Sequence, residues 1–287
     1  GTYWEWQDAR LTTTAILFFL VLGYLAVRRL PLERLLHGER VRVPGWPSPA
    51  EAQPPSPLGA ERADETRAVT GFTPDAYYSA TKLRWILDHI PEGQARAENG
   101  ELLAGTMDAW FRYRLTGGKA FSTDADSAGR TMLMNVREGA WSPEMLALFR
   151  FPRQMLPEIM DCNAAFGKTL PAFFGGAAIP LAGSITDSNA GSLGSGSLAC
   201  GDLYASFGTG MFMSLHTGAD FVAAGPGLIA SCGIQIDGRR QYKLQSAAYT
   251  AGAAVQWLKE GLHIIDDPAD TGSMASSVPD SAGVFFV

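Results

Sequence analysis

Leu203-Tyr204-Ala205-Ser206-Phe207-Gly208-Thr209-Gly210-Met211-Phe212-Met213-Ser214-Leu215 is the stretch whose reading decides the fold class. Two β-like runs, 203–207 and 211–215, flank Gly-Thr-Gly, which is a hairpin signal. Downstream, 228–236 and 284–287 also read as strands. A helix is expected from about 250 to 265, where Val255, Leu258, Leu262 and Ile265 keep helical phase and Pro268 lies just beyond. Upstream, Leu83, Ile86, Leu87 and Ile90 fall on one helical face, with Ser79 as N-cap and Pro91 as the stop. A further helix is expected near 106–115, ended by Gly117 and Gly118. Strands and helices mix along the chain, which indicates an α/β or α+β class.

Composition narrows the function classes. The 287 residues give room for one large domain or two ordinary ones, and 46% apolar with 18% charged residues suits a buried core. A net charge of −6 gives no general affinity for nucleic acid or anionic lipid. The three cysteines, Cys162, Cys200 and Cys232, are odd in number and form no Cys-x-x-Cys. They argue against a disulfide framework or zinc site, fit a reducing cytosol, and read as small buried apolar residues. The sequence holds no internal repeat.

The first quarter is unusual. Residues 15–27 are uninterruptedly apolar, followed by Arg28 and Arg29. A spanning helix needs about 20 residues, and the run lacks the basic flank and cleavage site of a signal peptide. A buried or aberrant segment is read ahead of a membrane anchor or a signal-like sequence. Residues 41–67 hold Pro44, Pro47, Pro49, Pro54, Pro55 and Pro57 and read as an extended linker.

Two stretches could carry chemistry. In residues 179–191 a short apolar run breaks into small residues around Asp187. A carboxylate at a strand end, beside glycines, can approach a substrate closely, though such an acid is usually a turn residue. In the hairpin turn, glycine backbone N–H groups and the Thr209 hydroxyl form a donor array suited to phosphate oxygens. There is no Walker A pattern and no protein-kinase His-Arg-Asp triplet.

Together these stretches sit in an ordered series. Tyr77-Tyr78-Ser79-Ala80-Thr81-Lys82-Leu83-Arg84-Trp85-Ile86-Leu87-Asp88-His89, Gly105-Thr106-Met107-Asp108-Ala109-Trp110, Thr123-Asp124, Arg130-Thr131-Met132-Leu133, Met155-Leu156-Pro157-Glu158, Phe207-Gly208-Thr209-Gly210 and Ala251-Gly252-Ala253-Ala254-Val255-Gln256-Trp257-Leu258 follow one another in order and spacing. The series resembles the FGGY carbohydrate kinases, and among them the glycerol kinases most. Trp6-Gln7-Asp8-Ala9-Arg10 resembles the family's Trp-Gln-x-x-Arg.

The resemblance implies a ribonuclease-H-like, actin-like ATPase architecture of two domains, with ATP and substrate meeting between them. It places an atypical segment at 1–69, the remainder of the first FGGY domain at 70–194 and the start of the second at 195–287. It implies ATP-dependent phosphorylation of a polyol or sugar hydroxyl, glycerol to glycerol 3-phosphate first, in the cytoplasm, with Mg²⁺ accompanying ATP. Asp187 matches the catalytic base. Trp6, Tyr77 and Phe212, with Asp187, match the polyol pocket, while Thr209, Gly252 and Gln256 match ATP contacts, Gly252 by letting backbone approach the ligand. No protein-held metal site, nucleic-acid partner or membrane is implied, and a homo-oligomer stays open.

The sequence also departs from the family. The Asp-x-Gly-Thr-Thr-type phosphate loop and the polyol-gripping Arg-Glu pair are absent. Residues 11–69 match nothing and read as an insertion, a retained non-coding stretch or an out-of-frame reading. Ser188 stands where glycerol kinases carry Gln, and Gln245-Ser246 replaces a Glu-Gly pair. These departures imply an internal piece that is inactive alone. They leave a kinase for another polyol or ketose, a non-catalytic polyol- or nucleotide-binding protein, and a membrane-tethered protein as the competing readings.

Overall fold

The computed structural model describes residues 62–283, apart from Ala76, Pro226 and Tyr249. Trp6, the apolar run at 15–27, the proline-rich stretch up to residue 61 and the strand expected at 284–287 lie outside the described residues.

Helix α1 (Ala63–Thr70) ends on Gly71 at φ +81°. Glycine tolerates that conformation without a Cβ penalty. Space demands glycine as well, because a Cβ there would lie 1.9 Å from the Ala230 carbonyl oxygen. The Gly71 carbonyl accepts the Ala230 N–H at 3.2 Å, so the start of the described chain is tied to a strand far along the sequence.

Helix α2 (Ser79–His89) buries Leu83, Ile86 and Leu87. Its cap differs from the sequence expectation: Tyr78 is the N-cap, and Ser79 is the first helical residue. The Tyr78 ring packs on Phe72 with centroids 4.6 Å apart, and the Thr81 hydroxyl bonds back to the Tyr78 carbonyl at 3.0 Å. The aromatic anchor therefore sets the entry. Ile90 is extended (φ −86°, ψ 131°), as expected before Pro91, which disfavours helical backbone in the preceding residue.

Next come α3 (Gly93–Glu98), α4 (Met107–Leu115), β1 (Ser122–Asp124), α5 (Ala125–Gly129), β2 (Met134–Asn135), β3 (Ala140–Trp141), α6 (Pro143–Phe149) and β4 (Glu158–Met160). Strands β1 and β4 pair parallel, and β2 and β3 antiparallel. Ser142 caps α6 by accepting the Met145 N–H at 3.2 Å, and Pro143 occupies the first turn, where its missing N–H costs nothing. The core gathers here, around Phe72, Leu102, Met132, Leu133, Met145 and Phe149. Each such side chain contributes roughly 1.5–3 kcal/mol by leaving water.

Helix α7 (Asp187–Gly194) leads to an antiparallel sheet of β5 (Leu203–Phe207), β6 (Met211–Gly218), β7 (Ile229–Ile236) and β8 (Arg239–Ala248), in the order β5-β6-β8-β7. The hairpin read from Gly-Thr-Gly is present, with Phe207 opposite Met211. Helices α8 (Gly252–Glu260) and α9 (Asp270–Ser276) follow. Helix α8 is shorter than the 250–265 expected. The N–H groups of Gly261 and Leu262 both turn back to the Trp257 carbonyl, at 2.8 and 3.0 Å, and His263 adopts φ +53°. Ile265 is buried, but it lies beyond the end of the helix.

All three cysteines are free thiols. Cys162 and Cys232 are buried as expected, and burial pushes the Cys162 thiol up to about 11. Cys200 is exposed, against expectation, because it sits in the turn before β5. Among the described residues no helix is long and apolar enough to cross a membrane.

Candidate active site

Asp187 opens α7 and does not end a strand, which corrects the sequence reading. The preceding residues form only an isolated bridge, Lys168 with Pro180. An acid in a first helical turn is favoured by the N-terminal dipole. The Asp187 carboxylate is exposed; Oδ1 accepts the Ser188 N–H at 2.7 Å, and Oδ2 makes no hydrogen bond among the described residues.

What holds the turn comes from elsewhere. Thr186 is the N-cap but makes no capping bond with its side chain. Its N–H (3.0 Å) and hydroxyl (2.6 Å) both bond Oδ2 of the buried Asp126 in α5. Just before it, the Ser184 hydroxyl bonds Asp124 Oδ2 at 2.5 Å. Burial, and then the charge of Asp108, pushes the Asp124 carboxyl above the usual carboxylate range.

Helix α7 lies on one face of the sheet. Strand alternation puts Phe212, Ser214 and His216 of β6 on the same face. Lys243, opposite His216, and Gln245, opposite Ser214, share it on β8. His216 Nε2 pairs with the Ser192 hydroxyl of α7 at 2.8 Å, and the Lys243 ammonium donates to Asn189 Oδ1 of α7. Gln245 bridges the Ser231 and Ser214 hydroxyls at 2.8 and 3.0 Å. A polar seam thus joins the sheet to the helix that carries Asp187. Burial lowers both the His216 and the Lys243 pKa, the latter to about 8.

At the hairpin tip, the Gly208 N–H bonds the Gly210 carbonyl at 2.8 Å. The Gly208 carbonyl accepts the Gly252 N–H at 3.0 Å, and the Thr209 carbonyl accepts those of Ala251 (2.8 Å) and Ala253 (3.2 Å). The turn and the start of α8 are therefore one unit. The Thr209 hydroxyl is exposed and makes no hydrogen bond among the described residues.

The family model described as the N-terminal domain of the FGGY family of carbohydrate kinases matches residues 59–194, which include α1 to α7. Residues 59–194 belong to the FGGY family of carbohydrate kinases. The glycerol kinase of Stenotrophomonas maltophilia (strain R551-3) is 43% identical over 221 residues, 77% of this chain and 44% of that protein. The glycerol kinase of Allorhizobium ampelinum is 44% identical over 218 residues, 76% of this chain and 44% of that protein. The chain thus spans less than half the length of these curated relatives. The crystal structure of Plasmodium falciparum glycerol kinase with ADP superposes with a TM-score of 0.72 at 28% identity, covering 78% of this chain and 45% of that one. A xylulose kinase from Rhodospirillum rubrum (TM-score 0.64, 21% identity, 77% of this chain and 44% of that one) shares the fold. The architecture is that of the ribonuclease-H-like FGGY kinases.

Within this FGGY fold the expected residues fall into groups. Asp187 and Phe212 share the α7 side of the sheet, and Phe212 follows directly on the Thr209 tip. Thr209 and Gly252 meet at that tip. At Gly252 a Cβ would lie 2.5 Å from the Gly208 oxygen, so its bareness admits the hairpin turn. Gln256 is exposed and bonds Glu260 one turn on, at 3.1 and 3.2 Å. Tyr77 is 66% exposed, stands edge-on to Tyr78 and lies near the Lys82 ammonium. No hydrogen bond or ring contact joins Tyr77 to Asp187 or Phe212 among the described residues. Trp6 lies outside them.

Sequence reasoning missed Asp126, Asn189 and Lys243. The signal for Lys243 was a lone charge between Tyr242 and Leu244 in an alternating strand. The signal for Asp126 was a second acid two residues after Asp124.

Proposed function

We propose that the whole protein transfers the terminal phosphoryl group of ATP to a hydroxyl of a polyol, glycerol first, yielding glycerol 3-phosphate. The observation that carries the reading is the Asp187 carboxylate. It is exposed, anchored through Oδ1 alone, and set on the sheet face that also bears Phe212. Phosphoryl transfer needs an oriented nucleophile and a base within hydrogen-bond reach. Asp187 would accept the proton of the attacking hydroxyl. Phe212 would pack against the C–H side of the polyol, with Tyr77 and Trp6 completing the wall. Thr209 would contact the nucleotide phosphates, with Gly252 placing the turn and Gln256 beside the nucleotide.

Relatives named glycerol kinase and a neighbour solved with ADP support this choice of substrate and nucleotide. Magnesium is proposed with the ATP. Among the described residues no group of three or more His, Cys, Asp or Glu could hold a metal ion. An ion brought in by the phosphates would neutralise developing charge there. A domain division after Gly194, a cytoplasmic location and small-molecule partners complete the reading.

The test is ATP- and glycerol-dependent ADP release by the whole protein and its Asp187→Asn variant. The expected outcome is turnover in the parent and a fall of about 10²–10⁴-fold in kcat, the usual worth of a positioned base, with nucleotide binding kept. Equal turnover in the variant would remove Asp187 from the role. Calorimetric polyol binding without turnover in the parent would favour a non-catalytic binding protein, the reading to which Ser188 beside Asp187 points.

A further inference from the structure

We propose that Lys243 is a positioning residue for Asp187, acting through Asn189 and framing the first turn of α7 together with Asp126 and Thr186. The assignment rests on the reading of Asp187 as proton acceptor.

The frame has two flanks. Asp126 holds Thr186, the residue before Asp187, through both N–H and hydroxyl. Lys243 holds Asn189, two residues after it. Asp126 and Lys243 carry opposite charges that attract across the frame. The frame has no spare bonds. Asp126 Oδ1 and Asn189 Nδ2 are buried without a hydrogen-bond partner, so each side chain is held through a single atom.

A merely structural origin for Lys243 is a poor account. It is only 1% exposed, in a strand whose neighbours Tyr242 and Leu244 are ordinary sheet residues. Burying an ammonium is costly, and an apolar residue of similar volume often serves stability as well or better. A charge kept at that cost beside a candidate base fits a functional role. The charged or titratable groups that face it are Asp126 of α5, Arg130 just after it, Cys232 of β7, Asp187 of α7 and His216 of β6. Asp126, Cys232 and Asp187 favour the ammonium, whereas burial and Arg130 oppose it and bring its pKa to about 8. The charged frame is therefore present at neutral pH and fades as pH rises through about 8, and turnover should fall with it.

The experiment compares the whole protein with Lys243→Met and Lys243→Arg. Lys243→Met is expected to lower kcat at pH 7 about ten-fold or more through misplacement of the base, with KM for ATP unchanged, and to lose the alkaline limb near pH 8. Lys243→Arg is expected to keep turnover and carry the limb to higher pH, because guanidinium stays charged. Parental kcat and an unmoved limb in Lys243→Met would overturn the proposal. Amide hydrogen exchange in the same proteins reads the frame without turnover. Lys243→Met is expected to speed exchange at Ser188 and Asn189 about ten-fold, as local opening becomes easier. Unchanged exchange there overturns the proposal. If the parent turns over no polyol while exchange responds as expected, the base assignment fails and the frame stands. Should Lys243→Met fail to fold, Asn189→Ala cuts the same bond from α7. It is expected to shift exchange and kcat in the same directions, and parental values would count against the frame.

Discussion

The region from Phe72 to Phe166 and the region from Leu203 onward are held together differently. The first contains nearly all of the large buried apolar side chains; the second contributes chiefly Tyr242 and Ile265. In the second, Leu203, Phe207, Phe212, Trp257 and Ile264 stay exposed, and order comes from the ladders of the β5-β6-β8-β7 sheet and its polar seam with α7. A packed core tolerates little change. A hydrogen-bonded sheet with an open face can carry functional side chains at small cost to stability. Asp187 sits where the two meet, its helix tied to Asp126 on one side and to Lys243 on the other.

The contrast is broken most directly in the core. Phe149→Ala, at a side chain 1% exposed, should cost roughly 3–5 kcal/mol. Chemical denaturation measures it, and a loss well below that range would erase the distinction between the regions.

The seam should respond to pH. The folded pKa of Lys243, about 8, lies below its ordinary 10.5. Between these values the unfolded chain keeps a proton that the folded chain has released. Stability attributable to Lys243 therefore rises as pH climbs through that window, by up to about 3 kcal/mol. Lys243→Met should lack this rise, and the difference between the two proteins cancels the shared tyrosines and cysteines. Urea unfolding at pH 7.5 and 10 checks it. A parallel pH dependence in both proteins would mean that the ammonium is not desolvated.

Gly252→Ala should cost about 1–3 kcal/mol, because the new methyl must push the Gly208 carbonyl aside. Thermal unfolding and nucleotide titration should both register it, since the turn and α8 move together. The smallest stability effect belongs to Phe212→Ala, within about 1 kcal/mol at a half-exposed ring. Its expected mark is a raised KM for polyol. An unchanged KM would take Phe212 out of the pocket.

Much of the fold was legible where local chemistry governs. The hairpin follows from Gly208 and Gly210 between β-like runs, and the buried face of α2 follows from Leu83, Ile86 and Leu87. Legibility failed where a distant partner decides. Tyr78 and not Ser79 caps α2 because Phe72 receives its ring. Helix α8 stops early because the chain reverses onto Trp257. Asp187 could be picked out as an acid among small residues, but its place at a helix start depends on Asp126, and Lys243 gives no local hint of the helix it reaches.

The contacts that frame Asp187 are all long-range. Asp126 and Thr186 are 60 residues apart, Asn189 and Lys243 54, and Ser192 and His216 24. Closing such loops costs entropy before the contacts repay it. During synthesis, at roughly 5–20 residues per second, the core around Phe149 can condense while β8 is still inside the ribosome. Asp187 then waits several seconds for Lys243. The frame around the residue assigned to chemistry is assembled after that core, and translation that stops short of Lys243 loses the frame while the core remains.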